Sequence, residues 1–242
     1  MKSLTALVTG ANKSIGLETV RLLAGAGYHV FLGSRDRERG EAAVAGLRSA
    51  GFDAVEMVLL DVTREESVQE AFTALSGRVE RLDVLVNNAG IPGQFQQAPS
   101  AASHENLERV FETNLFGAVR MIRVFIPLLR KSPRPRIVNV TSDLASLTLH
   151  NDPSWAYYPF KSPAYGPSKT ALNAYTVALA YELKDTSFKV NAVNPGYTAT
   201  DFNQHRGTKK VEEAARVIAE YAMLGEEGPT GKFVSDYGET PW

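Results

Sequence analysis

The chain has 242 residues, with 26 Lys and Arg against 27 Asp and Glu, a formal charge of −1, and no cysteine. Lack of cysteine excludes disulfides, a thiolate nucleophile and Cys-ligated zinc. Near-zero charge argues against a nucleic-acid surface, which carries a basic excess, and no apolar run reaches the ~18 residues of a membrane span.

Short apolar runs alternate with helical spacing throughout. Strands are predicted at residues 4–9, 28–32, 54–60, 82–87, 137–141 and 188–193, with a short last one at 232–234. Helices are predicted between them at 15–26, 37–50, 64–76, 103–130, 168–184 and 211–224. Strands this apolar, separated by helices, read as α/β: a single-domain, doubly wound parallel sheet of Rossmann type with helices on both faces. No composition break, repeat or low-complexity tract divides the chain, so residues 1–242 read as one domain. Three residues before the first strand leave no room for a secretory signal, and a cytoplasmic protein is expected. Residues 237–242 carry weak structure signals and read as a frayed tail.

The first strand runs into Thr9-Gly10-Ala11-Asn12-Lys13-Ser14-Ile15-Gly16. A glycine-punctuated turn leading into a helix presents free backbone N–H groups to an anion. Gly10 permits the tight turn and Gly16 close helix-to-strand packing. It is not a Walker A loop, because Asn12 stands where Gly must precede the Lys. This turn resembles the cofactor loop of the short-chain dehydrogenase/reductase family, with Ser14 where the family usually has Gly.

At the end of the second strand, Ser34 stands where NAD-dependent relatives carry Asp, and Arg35 follows. An acid there favours ribose hydroxyls and NAD, whereas an Arg favours a 2′-phosphate. Lys13 can reach the same space, and two cations and a hydroxyl suit a phosphate, so NADP(H) is the expected cofactor. Asp36 comes one step too late and is expected to cap the next helix, with Glu38 in its first turn. Asp61-Val62 ends the third strand, where the family's matching pair lies near the adenine. Asn87-Asn88-Ala89-Gly90 ends the fourth and is similar to the family's Asn-Asn-Ala-Gly signature, with Asn88, Ala89 and Gly90 against the cofactor.

Tyr165-Gly166-Pro167-Ser168-Lys169 sets Tyr and Lys four apart, on one face of a helix. A phenol titrating near ~10 is a poor proton donor or acceptor at neutral pH, and an adjacent ammonium is expected to lower it. The pair matches the family's Tyr-x3-Lys motif. Ser142 is similar in position to the family's catalytic serine; Thr141 is the rival hydroxyl, on the opposite face of the strand. Asn114 is the polar intruder on an apolar stripe that includes Val110, Phe111, Ala118 and Met121. A buried amide needs partners, and from the residues alone a bond to nearby backbone serves as well as a catalytic role. The resemblance implies the role: an Asn114–Ser142–Tyr165–Lys169 tetrad in which Asn114 holds a water linked to Lys169. Tyr165 and Lys169 also face the cofactor. Asn194-Pro195-Gly196-Tyr197-Thr198-Ala199-Thr200 resembles the family's segment at the nicotinamide end, with Pro195, Gly196, Thr198 and Thr200 as contacts.

The resemblance implies hydride transfer between a nicotinamide and a carbonyl carbon, with Tyr165 as acid/base. Between Ser142 and Tyr165 an added segment carries Trp155, Tyr157, Tyr158 and Phe160. It looks like the carbonyl-reductase-like branch and is expected to wall a pocket for an apolar or aromatic carbonyl substrate. The four histidines, His29, His104, His150 and His205, are scattered without His-x3-His spacing, so no metal is expected. No nucleic-acid or membrane partner is expected, and the sequence leaves monomer and homo-oligomer open. The alternative reading is a non-enzymatic NADP(H)-sensing regulator of the same fold.

Overall fold

The computed structural model describes residues 3–94 and 97–242; Met1 and Lys2, ahead of the first strand, lie outside the described residues, as do Phe95 and Gln96. Eight strands form one sheet in the order β3-β2-β1-β4-β5-β6-β7-β8. They are β1 Thr5–Val8, β2 His29–Ser34, β3 Val55–Leu59, β4 Val84–Asn87, β5 Arg136–Val140, β6 Lys189–Val193, β7 Phe233–Ser235 and β8 Gly238–Glu239. β1 to β7 pair in parallel, and β8 returns antiparallel to β7.

Alternate residues of each strand face opposite layers. Leu7, Phe31, Leu85, Ile137 and Val190 join a core with α3 (Glu65–Ser76), α5 (Gly117–Leu129) and α7 (Tyr165–Glu182). Ala6, Val8, Val30, Leu32, Val86 and Val193 face α1 (Ser14–Gly25), α2 (Arg37–Ser49) and α8 (Val211–Ala222). Burial on both faces explains why the strands read as unbroken apolar runs. The sheet order reverses between β1 and β4, and a doubly wound sheet binds ligands at the carboxyl edge beside such a switch.

Three expectations need correction. The helix predicted at 103–130 is α4 (His104–Phe111), a π turn over Glu112–Phe116 and then α5. In the π turn the Gly117 N–H donates to the Glu112 carbonyl, one residue beyond the α-helical partner. α7 begins at Tyr165, three residues earlier than expected, because Pro167 is tolerated in a first helical turn. Residues 237–242 are not a frayed tail. β8 pairs with β7, the Trp242 ring packs 5.5 Å from Phe233, and the Trp242 carbonyl accepts from Thr148 N at 2.9 Å. That bond ties the tail to α6 (Leu147–His150), a one-turn helix in the added segment.

Buried polar ladders cross the sheet. Asn87 Nδ2 donates to Asn139 Oδ1 at 2.8 Å, and Asn139 Nδ2 donates to Thr176 Oγ1 at 2.9 Å. Arg136 is 2% exposed, and its guanidinium donates to the carbonyls of Leu224, Pro135, Ser187 and Gly225 at 2.9–3.0 Å. One side chain thus closes β5 against the loops after β6's neighbours α7 and α8. Arg136→Ala removes a buried guanidinium and the four hydrogen bonds it donates to buried and part-buried carbonyls, and is expected to cost about 3 kcal/mol. A urea melt checks this as a lower midpoint at unchanged slope.

Candidate active site

The turn after β1 crosses the carboxyl edge beside β4. Gly10 has φ +61, and a Cβ there would lie 2.9 Å from Ala89 Cα. A Cβ on Gly16 would lie 2.5 Å from Asn88 Nδ2 and 2.8 Å from the Gly10 carbonyl. Only glycine fits either place. The Thr9 hydroxyl accepts from the backbone N–H groups of Asn88 and Ala89, each at 3.0 Å, and Asn88 Nδ2 donates to the carbonyls of Thr9 and Gly10 at 2.9 and 3.1 Å. These bonds weld the Asn-Asn-Ala-Gly segment to the first turn.

Ser14 sits at φ +50, in the left-handed region that explains a glycine preference at this point. A β-branched residue is more strained there. Ser14→Val is expected to lose about 1–2 kcal/mol of stability in a thermal melt, and Ser14→Gly to stay within about 1 kcal/mol of wild type.

The start of α1 carries neither a side-chain cap nor a first-turn acid. α2 and α4 differ: Asp36 accepts from Arg39 N at 3.0 Å, as expected, and Ser103 accepts from Asn106 N at 3.3 Å. The N–H groups around Asn12, Lys13, Ser14 and Ile15 are therefore left to an outside acceptor, and a diphosphate fits. The Ser34 hydroxyl is buried and donates to the Asp36 carbonyl at 2.8 Å, closing the turn that exposes Arg35. Arg35, Asp61 and Arg64 line one cleft at the strand ends. Asp61 Oδ1 accepts from the Thr63 backbone N–H and hydroxyl at 3.0 and 2.7 Å, which fixes the carboxylate beside buried Val62.

The candidate reacting groups assemble across β5 and α7. Ser142, just past β5, caps a short 3-10 turn (Asp143–Ala145) by accepting from Leu144 N at 3.2 Å. Its hydroxyl hydrogen-bonds the Tyr165 phenol. Thr141, the rival, is buried with its hydroxyl unpartnered, so Ser142 is the hydroxyl at Tyr165. Tyr165 is 8% exposed, and burial pushes its phenol up to about 12 against the pull of the Ser142 bond. Desolvation of the phenolate sets the direction, opposite to the lowering expected from an ammonium. Lys169 is 3% exposed; Nζ donates to the Val140 carbonyl at 2.7 Å and lies 6.0 Å from the Tyr165 ring centre. Burial pushes it down to about 8. A protonated phenol of this kind is a resident proton donor.

Asn114 sits in the π turn and is 1% exposed. Its Oδ1 accepts from Ile91 N at 2.8 Å, and its Nδ2 donates to the Ile91 carbonyl and to Ser168 Oγ, both at 3.0 Å. A Cβ added to Gly90 would lie 3.4 Å from Asn114 Oδ1 and 3.6 Å from Lys169 Nζ. Both groups therefore face the same small space over Gly90.

The chain matches the family model for short chain dehydrogenase over residues 4–211. It belongs to the short-chain dehydrogenase family. A (+)-neomenthol dehydrogenase of Capsicum annuum is 33% identical over 298 residues, covering 94% of each chain. Salutaridine reductase from Papaver somniferum superposes with a TM-score of 0.84 at 28% identity, covering 96% of this chain and 99% of that one. A Pseudomonas aeruginosa RhlG/NADP active-site complex superposes with a TM-score of 0.81 at 27% identity, covering 96% and 94%. This short-chain dehydrogenase is thus an oxidoreductase on a fold that carries a nicotinamide cofactor.

Several site residues of this short-chain dehydrogenase carry no local signal. Lys13 pairs with Asp201 at 2.6 Å, and Arg64 is a further cation at the Arg35 cleft. Both ends of the Lys13–Asp201 pair are about half exposed, which makes it a weak strap. Next to Asp201, the Phe202 ring packs edge-on to the Tyr165 ring at 5.2 Å. In the added segment, Trp155 meets Tyr157 at 5.6 Å, and Tyr157 meets Tyr197 at 5.7 Å. Tyr158 and Phe160 stay exposed. Thr198 and Thr200 are buried past Pro195 and Gly196, and the Thr198 hydroxyl donates to the Gly196 carbonyl at 3.1 Å. Among the described residues, no cluster of three His, Cys, Asp or Glu suits a metal, and no helix is long and apolar enough to cross a membrane.

Proposed function

We propose that this short-chain dehydrogenase reduces the carbonyl of an apolar or aromatic ketone or aldehyde to an alcohol with NADPH. The observation that carries the reading is the Ser142–Tyr165–Lys169 assembly at the carboxyl edge, with a buried phenol hydrogen-bonded to a serine hydroxyl. The cofactor's pyrophosphate would lie on Gly10, Asn12, Lys13, Ser14, Ile15 and Gly16. Its adenosine would take Ser34, Arg35, Asp61 and Val62. Asn88, Ala89, Gly90, Tyr165 and Lys169 would hold the nicotinamide ribose, and Pro195, Gly196, Thr198 and Thr200 the carboxamide.

When bound, the nicotinamide supplies a hydride to the carbonyl carbon. The protein's part is to hold and polarise. Ser142 donates to the carbonyl oxygen and orients it. Tyr165 delivers the proton as the oxygen gains charge, and its burial keeps that proton in place until then. Lys169 brings positive charge beside the resulting phenolate, and Asn114, facing the same space, links Lys169 to a proton source. Phe202 and the Tyr157–Tyr197 contact support an apolar wall that excludes water from the proton transfer. The neomenthol dehydrogenase and the salutaridine reductase named above support a carbonyl or alcohol substrate, and the NADP complex supports the phosphorylated cofactor.

Absorbance at 340 nm tests the reading with menthone, cyclohexanone, acetophenone, phenanthrenequinone and benzaldehyde. NADPH consumption on at least one is expected. Binding of NADPH without turnover on any would favour the sensor. Arg35→Asp removes the guanidinium and adds an acid where a 2′-phosphate would lie. It is expected to lower the NADPH-over-NADH ratio of kcat/KM by roughly 100-fold. An unchanged ratio defeats the phosphate assignment.

A further inference from the structure

The C-terminal hairpin makes contacts that packing does not require. β7 and β8 are joined by a two-residue turn, Asp236-Tyr237. The Tyr237 ring stays largely exposed, yet its hydroxyl turns inward and donates to Asp143 Oδ1. The same oxygen accepts from Asn194 Nδ2, and Asn194 Oδ1 accepts from Gly196 N at 2.9 Å. Its neighbour Asp236 pairs with Lys209, whose Nζ a Cβ on Gly196 would approach to 2.8 Å. One hairpin turn therefore grips both sides of the cleft: the residue after Ser142 and the turn after β6.

We propose that the hairpin supports the catalytic site: Tyr237 and Asn194 clamp the Asp143 carboxylate, and Asp143 acts as a positioning residue that keeps Ser142 aimed while Tyr165 gives its proton to the substrate oxygen. This rests on the reading of Tyr165 as the proton donor. Two effects follow from the clamp. The backbone that carries Ser142 is fixed from its far side, so its hydroxyl keeps its aim. The carboxylate also sets a negative charge near the phenol, which favours its protonated form. The groups facing Asp143 are Tyr237 and Asp236 from the hairpin, Lys209 from the loop before α8, Asn194 from the end of β6 and Tyr165 from α7. Burial raises Asp143, and the two donors and Lys209 hold it down against that push.

The test uses the full chain and the fastest compound of the carbonyl panel. kcat, KM and their pH profiles are measured for Tyr237→Phe and Asp143→Asn, with Tyr165→Phe as control, alongside NADPH affinity from fluorescence and a thermal melt. Tyr237→Phe is expected to lower kcat roughly tenfold, with NADPH affinity within about twofold. Asp143→Asn is expected to move the alkaline fall of the reduction rate to lower pH, because a charge that favoured the protonated phenol is gone. If Asp143→Asn does not fold, Tyr237→Phe decides. Wild-type kcat and pH profile in Tyr237→Phe overturn the inference, even with a lowered melting temperature, provided Tyr165→Phe is inactive. Retained turnover in Tyr165→Phe sinks the underlying reading instead.

Discussion

Tyr165→Phe is expected to lower kcat for carbonyl reduction by at least about a thousandfold while NADPH affinity changes by less than about threefold. The variant removes one oxygen and leaves the ring. That ring is buried and packs against Phe202 at 5.2 Å, so the fold and the cofactor cleft keep their shape. What disappears is the proton that the substrate oxygen needs. Ser142 can still donate a hydrogen bond to that oxygen, but its hydroxyl cannot release a proton at neutral pH. Steady-state rates and a fluorescence titration on the same preparation separate the two effects. A loss below about tenfold would show that the phenol is not the acid.

Lys169→Met should be nearly as damaging, and for a second reason should also be visible without substrate. The ammonium is buried, donates to the Val140 carbonyl at 2.7 Å and shares the space over Gly90 with Asn114. Removing it takes away the positive charge beside the developing phenolate, and a loss of about 100-fold or more in kcat/KM is expected. Burial holds Lys169 down to about 8, against 10.5 in an unfolded chain. Below pH 8 both states carry the proton, and the cost of burying the charge is present in full. Between the two values the unfolded chain binds the extra proton, so stability rises with pH. Lys169→Met has no such group. Its stability advantage over wild type should therefore be largest below pH 8 and shrink towards pH 10, as read from urea melts across that range. A difference that does not change with pH would remove the buried-ammonium reading.

The first turn was legible because its signals are local. Gly10 and Gly16 are required by contacts within a single strand-turn-helix, and Asp36 caps the helix that follows it. Tyr165 and Lys169 are one helical turn apart, so their shared face is fixed by period alone. The π turn at Asn114 was hidden because an inserted residue barely disturbs an apolar stripe, yet it changes which carbonyls are satisfied. Distance in sequence hid the rest. Lys13 meets Asp201 188 positions away, and Tyr237 meets Asp143 94 positions away. Residues 237–242 look like a loose end because a two-residue β8 and a C-terminal Trp carry no periodicity. Their order comes from β7 and Phe233, which only the folded sheet brings beside them. The electrostatic error had a physical source as well. Sequence spacing reveals an ammonium near a phenol but not how deeply both are buried, and here burial pushes the phenol up and the ammonium down.

The most direct test follows the hydride itself. NADPH carrying deuterium at the transferred position of C4 is incubated with the enzyme and a ketone from the panel, and the alcohol is examined by mass spectrometry and NMR. The expected result is one deuterium on the carbinol carbon, none from solvent at that carbon, and no labelled alcohol with Tyr165→Phe. An alcohol without the label, or no alcohol at all from wild-type protein that binds NADPH, would contradict carbonyl reduction by direct hydride transfer.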